Sequence, residues 1–253
     1  MNTGEMSGNF RGQSLEALPV VRRYAGHRPT LLGIGICTAV TLVACGSNVS
    51  GTPEPAGTSE APSVSSEAAD LNALLVDPSV FPAPYEAIVL PPQAIAQASP
   101  DLTGIPAGAE VSPAGCKPKE VRAGEAALIV GTDNTDRATI SVELTATDEP
   151  LSVRESQLAE CAEVQATKSG ATSTIRSTVV PAPPIDADDT LAVRQTVSSG
   201  TGSDTVTQSM LTLLAQVGDV RIAATYMSFE QGATDGATLD EVFTASVQKV
   251  KAG

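Results

Sequence analysis

Thiols, imidazoles, carboxylates and lysine–serine pairs are the groups from which proteins build nucleophiles, proton shuttles and metal sites. This chain of 253 residues uses them sparingly. Its one histidine, His27, precedes the apolar run at 31–44, and residues 45–253 contain none. That removes Ser-His-Asp and Cys-His catalysis, histidine metal sites and a histidine pH switch from the larger part. Cysteines stand at 37, 45, 116 and 161. Cys45 follows Leu42-Val43-Ala44, and its thiol is a soft nucleophile at a position where a hydroxyl would be a far poorer one. Asp186-Ala187-Asp188-Asp189 and Asp133-Asn134-Thr135-Asp136 offer oxygen ligands of the kind Ca²⁺ accepts. Neither has the twelve-residue spacing or closing bidentate glutamate of an EF-hand, so both read as solvated turn carboxylates. A carboxylate pair could hydrolyse a glycoside, and Lys117, Lys119, Lys168, Lys249 or Lys251 could activate a serine, but no local pattern singles out such a pair. No catalytic residue, cofactor or metal is expected.

The element that would position Cys45 is Leu31 to Ala44, 14 residues without a charge, preceded by Arg22, Arg23 and Arg28. A positive stretch, a short apolar stretch and a small residue at the cut mark a secretory leader. A permanent membrane span needs about 20 apolar residues. Residues 1 to about 47 resemble bacterial lipoprotein signal peptides, with Leu42-Val43-Ala44-Cys45 as the lipobox. The resemblance implies cleavage after Ala44, a diacylglyceryl thioether on Cys45, and often a further acyl chain such as palmitate on the new amino group. Two chains hold a membrane stably where one holds marginally. The alternatives are a plain secretory leader cut nearby and an uncleaved anchor. The stretch ahead of the run is long, which leaves a start at Met6 or later open. Arg22-Arg23 raises the twin-arginine route, but the residues after it match poorly and favour general secretion.

Residues 45–69 follow as a tether. Rich in Ser, Thr, Pro, Gly and Glu, they cannot bury enough apolar surface to order themselves. As a flexible coil they would span roughly 25–30 Å. Asn48-Val49-Ser50 matches a glycosylation acceptor and reads as chance in this setting.

The net charge is −14, and loss of the leader with its four arginines and two acidic residues makes it −16. Phosphate backbones and anionic lipid heads repel such a surface, so nucleic acid is excluded as a partner. Residues 70–253 suffice for one domain with its own core, built mainly from Val, Leu, Ile and Ala because aromatics are few and Trp is absent. With Cys37 lost and Cys45 acylated, Cys116 and Cys161 remain as a pair in an oxidising compartment, where a disulfide is expected; two free buried thiols are the alternative. The bridge would restrict the unfolded chain by about 4 kcal/mol.

The elements are legible in outline. Leu71, Leu74 and Leu75 share a helical face that Asp77-Pro78 ends, and a strand follows from Glu86 to Leu90. A Pro-opened helical turn is expected over Pro92 to Gln97, and 99–118 reads as a Pro/Gly-rich loop. Strands are predicted at Ala126 to Gly131, Ala138 to Ala146, 162–168, 173–180 and 190–198. Ser152 and Glu155 read as a capping box opening a helix to about Cys161, and Thr238 and Glu241 as a second box. The helix after Thr238 carries the stripe Leu239, Val242, Phe243, Val247 and Val250. Gly218-Asp219 predicts a hairpin pairing Val217 with Val220, Ala215 with Ile222, Leu213 with Ala224 and Leu211 with Tyr226. Its other face runs from Gln216 and Arg221 to Met210 and Met227, which could line a lipid-binding groove or be plain core. The expected class is α+β, an antiparallel sheet with helices packed on it.

Phe81-Pro82-Ala83-Pro84-Tyr85, Pro113-Ala114-Gly115-Cys116-Lys117-Pro118, Cys161 at a helix end and the closing amphipathic helix give residues 70–253 a further likeness. With the leader and tether, they resemble actinobacterial cell-envelope lipoproteins of unknown function, related to the extracellular sensor domain of a mycobacterial Ser/Thr protein kinase. The resemblance implies a disulfide-fixed sheet with helices and a ligand cleft. That sensor domain is described with two disulfides, whereas this mature chain can make one, so no ligand-site residue is carried over. The expectation is a lipid-anchored, extracytoplasmic, non-catalytic module that binds an envelope ligand or partner protein. The alternatives are a carrier of lipid or a small apolar ligand in an internal cavity, a structural envelope protein, and a hydrolase using carboxylates or Ser/Lys.

Overall fold

The clearest local signal in the chain, the hairpin at Gly218-Asp219, forms the middle of the molecule. The computed structural model describes residues 71–200, 202–229 and 234–253. Strands β8 (Val206–Val217) and β9 (Val220–Ser228) pair in the expected register, Val217 with Val220 through Leu211 with Tyr226. Gly218 takes φ +58, a left-handed conformation that a residue without a Cβ enters freely.

Around this hairpin lie β1 (Glu86–Val89), β2 (Glu110–Ser112), β3 (Ala126–Asp133), β4 (Ala138–Ala146), β5 (Glu163–Lys168), β6 (Ala171–Val180) and β7 (Asp189–Ser199). They form one antiparallel sheet in the order β1-β3-β4-β9-β8-β7-β6-β5-β2. Three helices, α1 (Pro92–Thr103), α2 (Leu151–Glu160) and α3 (Gly236–Ala252), pack on it, and a short helical turn lies at 71–74. The class is α+β, and Cys116 and Cys161 are joined by a disulfide with their Cα atoms 5.7 Å apart. Among the described residues no helix is long and apolar enough to cross a membrane. The leader, Ala44, Cys45, the tether and Asn48-Val49-Ser50 lie outside the described residues.

The two faces of the sheet are covered differently. On the first, Leu239, Val242, Phe243, Val247 and Val250 of α3 lie over Ile140, Val142, Leu144, Ile222 and Ala224, with Leu71, Leu75, Phe81 and Tyr85 closing the side. On the second, α1 covers Ala126 and Leu128 through Ile95, and α2 covers Leu191, Val193 and Leu214 through Leu151 and Leu158. A third patch, with Ile105, Ala109, Ile175, Val197 and Met210, sits beneath the chain that follows α1.

Three local expectations are corrected. The helix opened at Pro92 continues to Thr103 and absorbs Pro100, and the supposed loop of 99–118 also holds β2 and a 3₁₀ turn at Ala114–Cys116. A proline inside a helix costs about 3 kcal/mol and ordinarily ends it; here burial of Ile95 and Ser99 and the half-buried Leu102 offset that cost. The other two corrections concern caps. α2 starts at Leu151 behind Pro150, with no side-chain cap, because Leu151 is buried against the sheet. α3 is capped by Asp235, whose carboxylate accepts from the Thr238 amide at 3.2 Å and from the Tyr85 hydroxyl at 3.2 Å. Desolvation, then the Asp235 charge and hydrogen bond, push the Tyr85 phenol well above its ordinary range.

Candidate functional site

Strands β4 and β9 alternate, so the residues between the buried apolar ones face the second side. On β4 these are Thr139, Ser141, Glu143 and Thr145, which stand opposite Met227, Thr225, Ala223 and Arg221 of β9. Across β9, Met227 faces Met210, Thr225 faces Thr212, and Arg221 faces Gln216 on β8. These are three central strands of a sheet covered on both sides, yet this face carries two ionisable groups and a row of hydroxyls.

The short helices leave the middle of this face open. A cavity of about 180 Å³ lies between the end of α1, at Leu102 and Thr103, and Arg154 of α2; its floor includes Glu143, Gln195, Thr212, Arg221 and Thr225. A larger, apolar cavity of about 450 Å³ adjoins it, with Leu102 in the wall of both. Leu128, Val130, Val197, Met227 and Phe229 line the larger one. The closing of α1 sets this geometry. Gly104 ends the helix at φ +71, and a Cβ there would lie 2.5 Å from Cγ2 of Val197, so only glycine lets the turn press so close to β7.

Glu143 accepts a hydrogen bond at 2.8 Å from the hydroxyl of Ser99, which descends from α1. Burial raises its carboxyl above the usual range, and the Ser99 bond opposes that only in part. Arg221 donates to Gln216 Oε1 at 3.2 Å and to the Glu149 carbonyl, with the Glu149 carboxylate 4.0 Å away. Arg154 donates to Gln157 Oε1 at 2.7 Å, and none of the ion pairs among the described residues includes it. Burial and then the Arg221 charge lower its guanidinium from the ordinary value, with the Glu149 charge opposing; an arginine side chain in a protein stays cationic. Thr212 and Thr225 hydroxyls lie 3.0 Å apart on the floor, and Gln195 donates to Ser177 at 3.0 Å.

The arrangement suits holding a ligand more than transforming one. Ser99 lines neither cavity, so its bond to Glu143 ties α1 to the sheet rather than presenting a nucleophile. The cleft has guanidinium donors, a carboxyl of raised pKa and hydroxyls able to donate or accept.

The residues singled out by sequence are dispersed. Cys116 and Cys161 meet beside the C-terminus of α2, on the rim of a small recess that also reaches Arg154. Asp186 pairs with Lys251, Asp188 accepts from the Gly218 amide at 2.7 Å, and Asp189 accepts from the Thr190 amide. Asp133 is buried and accepts from the Thr135 and Asp136 amides, so the acidic motifs serve turns. Among the described residues no three His, Cys, Asp or Glu converge as a metal site. Lys117 pairs with Glu120. Of the two methionines, Met227 lines the larger cavity while Met210 is buried in the third patch. Glu143, Arg154 and Arg221 were not singled out; the available signal was a polar set on the second face of central strands.

No family model matches the chain, and no curated protein sequence matches it. Solved structures similar to it include an uncharacterised Mycobacterium smegmatis protein, the Rv0999 ortholog, at 16% identity and TM-score 0.42, over 73% of this chain and 95% of that one. The extracellular domain of PknH from Mycobacterium tuberculosis is similar at 13% identity and TM-score 0.44, over 71% and 96%.

Proposed function

We propose that this chain is a cell-envelope lipoprotein whose folded body binds a ligand in the cleft between α1 and α2 without transforming it. In this reading residues 1–44 are the leader, cut after Ala44, and Cys45 carries the lipid. Residues 45–69 tether the body of 70–253 on the outer side of the membrane. The observation that carries the binding role is the cleft: two arginines and a glutamate, all half-buried, beside an open cavity of about 180 Å³, on a face of a central sheet that would otherwise be sealed. Pockets that take small molecules combine an apolar lining with a few placed polar groups, as these adjoining cavities do.

The test has two arms. Globomycin treatment should leave an unprocessed precursor and labelled palmitate should enter the protein; neither effect being seen removes the anchor. Envelope extracts should raise the Tm of the wild-type chain and not that of Arg154→Gln; equal shifts in both would remove the cleft. A second reading, carriage of a lipid, is favoured by the apolar cavity of about 450 Å³. It requires lipid bound non-covalently to protein purified from its own host, visible by native mass spectrometry.

A further inference from the structure

The two cavities on the second face differ in chemistry and lie along the same strands. Arg221 and Met227 point to the same side of β9, six residues apart, which is on the order of 20 Å of strand. Leu102 stands where one lining gives way to the other. One end therefore offers cations and hydroxyls and the other methionine and aliphatic side chains.

The cationic end is the informative one. In a protein of net charge −14, carboxylates outnumber guanidiniums and amines by nearly two to one, so a half-buried arginine has no shortage of partners. Arg154 nevertheless donates to the amide oxygen of Gln157 and joins none of the ion pairs among the described residues; the larger charge acting on it is that of Arg221, which the Glu149 carboxylate opposes only in part. A guanidinium presents five N–H donors in a planar fork that matches carboxylate and phosphate. Two like charges lining one cavity are relieved by an anion placed between them.

Resting on the reading of the cleft as a ligand site, we propose that its ligand is an anionic amphiphile. The acidic head, carboxylate or phosphate, sits on Arg154 and Arg221, and the hydrocarbon tail lies in the cavity lined by Leu102, Val197 and Met227. The acidic surface of the body does not oppose this, because the head meets the two guanidiniums rather than the net charge. The apolar end adds affinity in proportion to tail length, and the arginine end supplies selectivity for the head.

The test uses the full chain carrying Cys45→Ser, which removes the acylation site and no residue of the cleft, purified without detergent. Calorimetric titration compares decanoate, decyl phosphate and decanol below their aggregation concentrations. Both acids should bind at least tenfold tighter than decanol, and the tighter of the two identifies the head. Lengthening the acid should tighten binding about fourfold per methylene until the cavity is filled. Arg154→Gln should erase the preference for acids while keeping the affinity for decanol. Met227→Glu should abolish binding of all three, with the Tm of each variant within a few degrees of the parent. Equal binding of acid and alcohol, a preference for acids that survives Arg154→Gln, or no binding of any probe overturns the proposal. If no probe binds but envelope extract still shifts the parent and not Arg154→Gln, the ligand class is wrong and the cleft stands; if extract shifts neither, the cleft reading falls as well.

Discussion

The two faces of the sheet were built to different ends. The first is sealed by one continuous cluster of 23 buried residues, drawn from α3, the segment after residue 70 and five strands. The second is divided among three patches of seven, five and three residues. Its polar groups are of another kind too: Ser99, Ser141, Gln216 and Thr225 are buried there, alongside the half-buried Glu143, Arg154 and Arg221. α3 has 17 residues and lays a full stripe on its face, whereas α1 and α2 have 12 and 10 and cover only parts of theirs. Length of helix thus decides which face is a core and which holds cavities. Stability resides chiefly on one side, leaving the other free to keep charges out of water beside open space.

This division makes graded predictions. Phe243→Ala removes the largest fully buried side chain of the sealed face and should cost about 3–5 kcal/mol in urea unfolding. A loss under 1 kcal/mol would show that the single-core description is wrong. Next comes the bridge between Cys116 and Cys161, which ties the chain ahead of β3 to the end of α2. Replacing both by serine should cost about 2–4 kcal/mol. Because α2 carries Arg154, ligand-induced shifts in Tm should shrink more than for Phe243 variants of equal stability loss, and equal shrinkage would argue against a cleft wall pinned by the disulfide. Gly104→Ala should cost about 1–3 kcal/mol from the left-handed backbone, with the contact at 2.5 Å to Val197 displacing the end of α1. Its signature is a loss of ligand response larger than its loss of stability.

Much of the sealed face was legible in advance, because strict patterns leave few choices. The alternation of β8 and β9 around a Gly-Asp turn specifies one register, since a slip of one residue would turn Leu213, Ala215, Ile222 and Ala224 away from α3. The stripe of α3 was equally plain. The second face was harder to read because its pattern is interrupted. Thr139, Ser141, Glu143 and Thr145 look like the solvent side of an ordinary strand, and only the order β3-β4-β9-β8 shows that they lie beneath helices. Pro100 is a strong local stop signal that hides the last turns of α1 in the sequence, and tertiary burial of Ile95 and Ser99 overrides it. The caps at Pro150 and Asp235 were misplaced for a related reason. Ser152 and Thr238 fit the motif locally, but each helix begins where packing or a neighbouring carboxylate receives it. Arg154 carries no pattern of its own, and its place in the cleft follows from α2 crossing the sheet.

The smallest effect is also the most specific to the second face, and it turns on the sign of one titration. Glu143 has its carboxyl held above the ordinary value of 4.5 by burial, with the Ser99 hydroxyl opposing in part. Around it are Ser99 from α1, Leu128 across β3 and Ala223 across β9, while Arg154 and Arg221 line the same cavity. Below the ordinary carboxyl pKa both folded and unfolded chains hold the proton and the residue costs nothing. As the pH rises through that value toward the raised one, the unfolded chain releases a proton that the folded chain retains, so stability falls across this window and is level above it. Glu143→Gln has nearly the same shape, keeps an oxygen to accept from Ser99 and cannot ionise. Its Tm should therefore match the parent near pH 4 and exceed it at pH 8, with the gap opening between. Parallel Tm curves for the two proteins would mean that the carboxylate is ionised at no cost, and the cleft floor would then be as wet as an ordinary surface. A gap of the opposite sign would mean that the arginines hold Glu143 as an anion, leaving the cationic end already neutralised from within. That outcome would sharpen the comparison of the two faces in a different way, by making the second one a closed charge network instead of a site awaiting a ligand.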